Sequence, residues 1–343
     1  MRTMDAARAL RSIVGDRLLE REPMHRHTNF RIGGPARYYV EARTAEDVAR
    51  TVAIAQAAGL PWFALGGGSN TLVGDAGFDG LVIQIALREI VVEGDRVRAG
   101  AGAITASVAR EAGRAGLSGF EWAVSLPGTI GGAVRGNAGC FGGEMEGVIE
   151  DVRILEMQNP EGDAPRPYGA GFECRMQNVT NTECGFRYRH SIFKEHPGWI
   201  ILEATLALRR ADPDTCQAAM DQFLERRRTS QPNGKPSAGC LFKNIETRAL
   251  SSDAVERLER FSSGAWRDVA HDGRLSVGWI IDRLGLKGRR VGGAMISEHH
   301  GNFTLNLGGA TAADVFALGE AVRERARDVL GMDIEYEVQR LGC

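Results

Sequence analysis

The chain lacks most of what would tie it to a metal, an oxidising compartment, a membrane or a nucleic acid. Its six cysteines (Cys140, Cys174, Cys184, Cys216, Cys240 and Cys343) form no C-x-x-C pair, and its seven histidines are not at zinc-ligand spacing, so no metal is expected. No apolar run is long enough to span a bilayer, and no apolar signal region follows Met1. Reduced thiols and a cytoplasmic location are therefore expected. With 42 basic and 44 acidic side chains the net charge is −2, which leaves no electrostatic footprint for nucleic acid or a membrane surface; any basic patch has to be local. The P-loop and the G-x-G-x-x-G fingerprint are both missing, as are internal repeats and low-complexity tracts. What remains, 343 residues that are 43% hydrophobic and 25% charged, is ordinary for a soluble globular protein of two or three domains.

What the chain has in excess is glycine. Its 44 glycines cluster in short loops between apolar segments, a distribution that suits backbone lying close to a ligand. The periodicity predicts a helix over 4–19, a strand ending in a turn over 27–36, a strand at Tyr38-Tyr39-Val40, and a helix opened by a capping box at Thr44 and Asp47 and stopped by Gly59. A short buried strand at 62–65 runs into Gly66-Gly67-Gly68-Ser69-Asn70. A second unit begins near Gly80, with a strand at 81–85, a hairpin around Gly94-Asp95, a helix over 105–115, and strands at 152–157 and 200–208 around a polar insertion at 159–181. The third part has helices over 214–228, 252–261, 277–284 and 311–330, the last with a capping box at Thr311 and Asp314 and Gly331 as its stop, then a final strand over 334–338. The division is 1–80, 81–210 and 211–343, and the class is α+β.

Several constellations admit both a chemical and a plain reading. Gly66 to Asn70 after a buried strand is an anion nest or a tight structural turn; a second glycine-rich loop over 127–139 favours the first, because two such loops could clamp the two phosphates of a dinucleotide. Arg189 is a surface charge or a bidentate partner for a carboxylate. Arg226-Arg227-Arg228 is a solvated helix end or a receiver for a diphosphate. Cys240, in Pro236-Ser237-Ala238-Gly239-Cys240-Leu241-Phe242-Lys243-Asn244, is a small buried hydrophobe or a proton donor. An ordinary thiol titrates near ~8.5 and can donate at neutral pH, although a cation at Lys243 would draw the proton off. Glu335 and Glu337 share one face of the expected last strand, and the sequence favours neither.

Taken together, Thr28-Asn29-Phe30-Arg31-Ile32-Gly33-Gly34-Pro35-Ala36, Gly66 to Asn70, the 127–139 loop, Tyr188-Arg189-His190-Ser191-Ile192-Phe193-Lys194, the 236–244 stretch, and Val291-Gly292-Gly293-Ala294 with Ser297-Glu298 resemble, in order, the UDP-N-acetylenolpyruvoylglucosamine reductase (UDP-N-acetylmuramate dehydrogenase) family of peptidoglycan precursor synthesis. The resemblance runs from His27 to Gly342. It implies an FAD-binding fold of the vanillyl-alcohol-oxidase type, with two α+β subdomains over 1–80 and 81–210, and a substrate-binding domain over 211–343. It implies that NADPH reduces the flavin, that hydride passes from flavin N5 to the enolpyruvyl double bond of the UDP-sugar, that Arg189 and Glu337 meet the developing charge, and that Cys240 supplies the proton.

The same resemblance places FAD on Gly66, Gly67, Gly68, Ser69, Asn70 and Thr71 in the first turn. In the second loop it places FAD on Pro127, Gly128, Thr129, Gly131, Gly132, Ala133, Asn137 and Ala138. Substrate falls to Tyr188, Arg228, Lys243, Asn244 and Glu298, and a monomer is expected. Two features depart from the family pattern: Cys240 stands where the proton donor is usually Ser, and the stretches 159–181 and 246–271 are additional. The short spacing from Arg189 to Cys240 resembles the branch without a tyrosine-bearing lid. An FAD-dependent oxidase of a hydroxyl-bearing substrate on the same fold, and a nucleotide-binding regulatory module with no catalysis, are the competing readings.

Overall fold

The computed structural model describes residues 3–157 and 174–343. The chain forms two compact units: Met1–Glu22, Ala36–Gly68 and Asp79–Arg227 in the first, and Pro23–Pro35, Ser69–Phe78 and Arg228–Cys343 in the second. No helix among the described residues is long and apolar enough to cross a membrane, and no cluster of three or more His, Cys, Asp or Glu among them could hold a metal ion.

In the first unit a four-stranded sheet runs in the order Leu18–Pro23, Pro35–Ala42, Phe78–Ile85, Trp62–Leu65, the last two parallel. Helices Thr3–Val14 and Ala45–Ala57 pack together beside it. The capping box forms as the sequence predicts, Thr44 Oγ1 accepting from Asp47 N–H while Asp47 accepts from the Thr44 amide. A five-stranded antiparallel sheet follows in the order Cys174–Thr180, Ile149–Met157, Trp199–Ala207, Arg96–Gly100, Ile90–Glu93. Alternate residues of the middle strands, among them Val152, Ile154, Ala204, Leu206, Val97 and Ala99, join a single apolar core.

The second unit is built on helix Ala312–Leu330. Its buried Val315, Leu318, Gly319, Val322, Ala326 and Leu330 recur at helical spacing, Thr311 and Asp314 cap its start, and left-handed Gly331 ends it. Around it lie helices Ser252–Ser262 and Val277–Arg283 and the antiparallel strands Arg290–Val291, Ala294–Ile296 and Thr304–Asn306. Strand Thr71–Val73 pairs in parallel with Gln339–Leu341, and Phe30, Ile32 and Leu72 enter this unit's core.

Four expectations are corrected. The first helix stops at Val14 because Gly15 is left-handed (φ +58°), and Leu18–Pro23 is a strand. Residues 27–34 are irregular, since Arg31 (φ +54°) and Gly33 (φ +139°) break an extended run, and the strand starts at Pro35. Within the expected insertion, Cys174–Thr180 is a strand of the five-stranded sheet; residues 159–173 lie outside the described residues. The last strand is Gln339–Leu341, and 334–338 makes only an isolated bridge, Tyr336 to Phe242.

Candidate active site

The first glycine turn links two strands, Trp62–Leu65 and Thr71–Val73, and the second follows a 3-10 turn at Glu121–Ser125 and leads into helix Ile130–Arg135. Gly66 and Gly67 press against Gly128 and Thr129 within the first unit. A methyl on Gly66 would lie 2.7 Å from Thr129 Oγ1, and one on Gly67 2.9 Å from the Gly128 Cα, so only glycine permits the approach. Gly68 is left-handed, at φ +60°. Gln84, which the sequence gave no reason to single out, holds this turn: its Nε2 donates to Gly66 O at 2.6 Å, and Tyr39 OH donates to its Oε1 at 3.2 Å. In the second loop the Ile130 and Gly131 amides are already engaged by Ala103 O and Ala101 O. Gly131 is needed there for contact with Ala101, whose Cβ would be 2.8 Å from a methyl.

Arg189 sits at the third position of a tight turn closed by mutual backbone bonds between Arg187 and His190. Its backbone is left-handed (φ +54°), a conformation that costs a non-glycine residue and persists only where the surroundings enforce it. They do. Lys194 Nζ donates to its carbonyl at 2.7 Å, its own Nη2 donates to Gly139 O at 3.2 Å, and its guanidinium lies over the Tyr188 ring at 5.1 Å. Asn137, expected to hold cofactor, is fully buried and supports this turn. Its Nδ2 donates to Arg187 O at 3.1 Å and its Oδ1 accepts from Glu146 N–H at 3.0 Å, so the side chain braces the Arg189 turn.

Charge gathers beside this turn in spite of the chain's near-neutral total. Burial pushes the Cys140 thiol up, while its hydrogen bond with Ser125 and the positive charges of Arg227, Arg189 and Arg226 pull against that rise. Arg226 also lies 4.8 Å over the Phe141 ring, itself stacked on Phe223. Three guanidinium charges thus act on Cys140 in the short strand Gly139–Cys140, whose pairing partner carries Glu144. Arg228 is exposed and its carbonyl accepts from Asn233.

In the second unit Cys240 is half-buried and stands in an extended segment flanked on both edges. On one side it bridges Phe303, and Leu241 N–H donates to Asn302 O at 2.7 Å. On the other, Glu337 N–H donates to Leu241 O and Lys243 N–H to Glu335 O, both at 2.9 Å. The structure therefore brings Cys240, Lys243, Asn244 and Glu337 together. It also separates the two glutamates: Glu335 is exposed and accepts from Lys243 Nζ at 2.9 Å, whereas Glu337 is half-buried. The cation that would draw the proton off Cys240 carries its own counter-ion. Asn70 joins this set, its Nδ2 donating to Glu337 O at 3.3 Å and its carbonyl accepting from Gln339 N–H at 2.9 Å. Asn244 Oδ1 accepts from Val277 N–H at the start of a helix, and Glu298 is exposed near Gly288. Sequence reasoning missed Asn302, which is only 2% exposed; between His300-Gly301 and Phe303-Thr304 nothing in the local pattern marks it as buried.

Residues 231–341 match the family described as UDP-N-acetylenolpyruvoylglucosamine reductase, C-terminal domain, and residues 36–163 match an FAD binding domain. UDP-N-acetylenolpyruvoylglucosamine reductase 2 of Symbiobacterium thermophilum is 37% identical to this chain over 98% of it and 96% of its own length. The reductase of Geobacter sulfurreducens is 35% identical over 98% of each chain. The crystal structure of UDP-N-acetylenolpyruvylglucosamine reductase from Thermus caldophilus aligns with a TM-score of 0.69 at 31% identity, covering 94% of this chain and 98% of that one. The residues present fit an FAD. Thr129 Oγ1 and Asn70 Oδ1 are buried polar atoms with no hydrogen-bond partner among the described residues, and buried oxygens of that kind call for one. The glycine turns put no side chain between their backbone and a phosphate.

Proposed function

Because the chain belongs to the UDP-N-acetylenolpyruvoylglucosamine reductase family, we propose that it reduces the enolpyruvyl double bond of UDP-N-acetylenolpyruvoylglucosamine to give UDP-N-acetylmuramate, with FAD as cofactor and NADPH as reductant. Bound FAD, reduced by NADPH, supplies the hydride. Gly66 to Thr71 and the loop from Pro127 to Ala138 hold the cofactor, Thr129 Oγ1 and Asn70 Oδ1 gaining the partners they lack among the described residues. Residues 1–80 and 81–210 serve the cofactor and 211–343 the substrate.

Addition of hydride at the terminal carbon leaves negative charge on the neighbouring carbon and its carboxylate. Arg189 meets that charge. Its turn is braced by Asn137, Lys194 and Gly139, so the guanidinium needs little reorganisation at the moment of reaction, which is where fixed charge contributes most. Cys240 then transfers the Sγ proton to that carbon, and solvent restores it to the sulfur. Glu337 acts beside Cys240 in meeting the reacting group. Tyr188, Arg228, Lys243, Asn244 and Glu298 bind the UDP-sugar, the exposed Arg228 and Glu298 on its outer parts. The observation that carries this reading is the braced Arg189, held in a left-handed backbone with its guanidinium fixed by Gly139 O and the Tyr188 ring.

The test is the visible spectrum of purified protein under anaerobic conditions. Oxidised flavin bands should bleach on adding NADPH and return on adding UDP-N-acetylenolpyruvoylglucosamine, with the product identified by mass. Bleaching that the UDP-sugar does not reverse would overturn the proposal.

A further inference from the structure

The segment after Cys240 is held on one edge by a side chain in place of a strand. Asn302 Oδ1 accepts from Phe242 N–H at 3.0 Å, and Asn302 Nδ2 donates to Phe242 O at 2.8 Å. The two bonds close a ring between one side-chain amide and one residue's backbone. Because Phe242 N–H can only donate, Oδ1 must face it, and Nδ2 is then fixed on the carbonyl. The Asn302 carbonyl accepts from Leu241 N–H as well, so three bonds from one residue land on the two residues that follow Cys240. The opposite edge holds only the residues on either side of Phe242, with Glu337 and Val338 N–H donating to Leu241 O and Lys243 N–H to Glu335 O, and leaves the Phe242 N–H and carbonyl to Asn302.

Asn302 is itself locked. Its N–H donates to His300 Nδ1 at 3.2 Å, Phe303 N–H to His300 O at 3.0 Å, and Ser297 N–H to Phe303 O at 2.8 Å, which ties 297–303 into a closed turn. Burial holds His300 below the ordinary imidazole range, which keeps Nδ1 available as an acceptor. Beneath Phe242, the Tyr336 ring packs at 4.9 Å, in space that Gly319 leaves open.

We infer that Asn302 is a positioning residue for the Cys240 thiol: its amide fixes the backbone of Phe242, and through it the direction in which Cys240 presents Sγ. The inference rests on the reading of Cys240 as proton donor. A buried amide clamp two residues from a reacting group is the kind of support whose loss moves that group by a fraction of an ångström, and a displacement of about 1 Å can cost ~10²-fold in rate.

The experiment uses the FAD-loaded protein in anaerobic stopped flow, with Asn302→Ala, the isosteric Asn302→Asp, Cys240→Ala and the double variant Cys240→Ala/Asn302→Asp. Asp keeps the acceptor for Phe242 N–H but sets an oxygen against Phe242 O, opening the clamp on one side only. Flavin content and the rate of reduction by NADPH should stay near those of the parent, while reoxidation by the UDP-sugar slows on the order of tenfold or more. Labelling of Cys240 by iodoacetamide, followed on its own peptide, should change in rate while that of exposed Cys343 does not. If Asn302 acts through Cys240, adding Asn302→Asp to Cys240→Ala slows reoxidation no further. Parent-like reoxidation in both Asn302 variants overturns the inference while leaving the Cys240 reading intact. So does equal slowing of both half-reactions with loss of flavin, the signature of a merely structural residue. Parent-like reoxidation in Cys240→Ala instead defeats the proton-donor reading itself. Should Asn302→Ala fail to accumulate as holoprotein, Asn302→Asp and its double variant decide the matter alone.

Discussion

In the first unit the glycine turns are shaped by side chains that are missing: Gly66 and Gly67 meet the Thr129 side chain and the Gly128 backbone so closely that a methyl could not fit. In the second unit the Cys240 segment is shaped by side chains that are present: Asn302 holds one edge, and the Glu335–Glu337 stretch, with the Tyr336 ring against Phe242, holds the other. The contrast follows the two tasks proposed for these regions, phosphate binding and proton donation. A phosphate is recognised by amides that need room, and any Cβ in the turn subtracts from binding. A proton donor has to be aimed, and aim comes from packing and hydrogen bonds. A substitution in one region should therefore alter binding, and in the other the rate of a single step.

The largest effect should come from Cys240→Ala. Removing a positioned acid typically costs ~10²–10⁴-fold, and here the whole loss should fall on reoxidation by substrate, with NADPH bleaching the flavin at the parent rate. Cys240→Ser should keep much of the activity, since a hydroxyl can occupy the same place and donate. Single-turnover absorbance separates the two half-reactions. A Cys240→Ala variant that also fails to retain FAD would break the comparison, because binding and proton delivery would then share one region.

Next in size is Gly67→Ala. Its Cβ would come 2.9 Å from the Gly128 Cα, where no flexible side-chain end can yield. Overpacking of this kind costs about 1–3 kcal/mol, or roughly 5- to 150-fold in FAD affinity if the strain falls on the bound form. Gly147→Ala, which would meet nothing within 4 Å, is the matched control in the same unit. Equilibrium titration of stripped protein with FAD is the measurement. Unchanged affinity in Gly67→Ala would mean that the close approach of the two turns has no bearing on the cofactor.

The parts of this molecule that were legible in its sequence are those whose causes are local. Thr44 with Asp47, and Thr311 with Asp314, announce their helices three residues ahead, and Gly59 and Gly331 end theirs by the conformation glycine alone tolerates cheaply. The motifs around Arg189 and Cys240 were legible as residue types. Their bracing was not, because it depends on distant partners: Asn137 lies 50 residues from Arg187, and Asn302 lies 60 from Phe242. Strand Gln339–Leu341 was missed for the same reason, since what makes it a strand is Thr71–Val73 at the other end of the chain. The residue pattern alone did not tell Glu335 from Glu337; only the resemblance pointed to Glu337, and the Lys243 ion pair identifies Glu335 as the outward one.

The two capping boxes give the smallest but most controlled comparison, because each unit owns one. Burial works against the Asp47 carboxylate, yet hydrogen bonds from Arg17 and from the Arg43 and Thr44 amides, with the charge of Arg17, hold it below the ordinary range. Asp314, more open, is held below that range first by the Thr311 amide and also by the Gly293 amide, with no cation in the set. Both folded values lie under that of the unfolded chain. Each carboxylate therefore stabilises the fold above the unfolded pKa of ~3.9 and loses that contribution as pH falls through its folded value. Asp47→Asn should cost about 1–3 kcal/mol near neutral pH, because it leaves the Arg17 charge partly buried without its partner. Asp314→Asn should cost no more than about 1 kcal/mol, discounted for its exposure. Thermal melts near neutral pH should rank the variants in that order, and at about pH 3 both gaps to the parent should shrink. The reverse ranking would show that the second unit, for all its clamped side chains, leans on its long helix more heavily than the first leans on the Arg17–Asp47 pair.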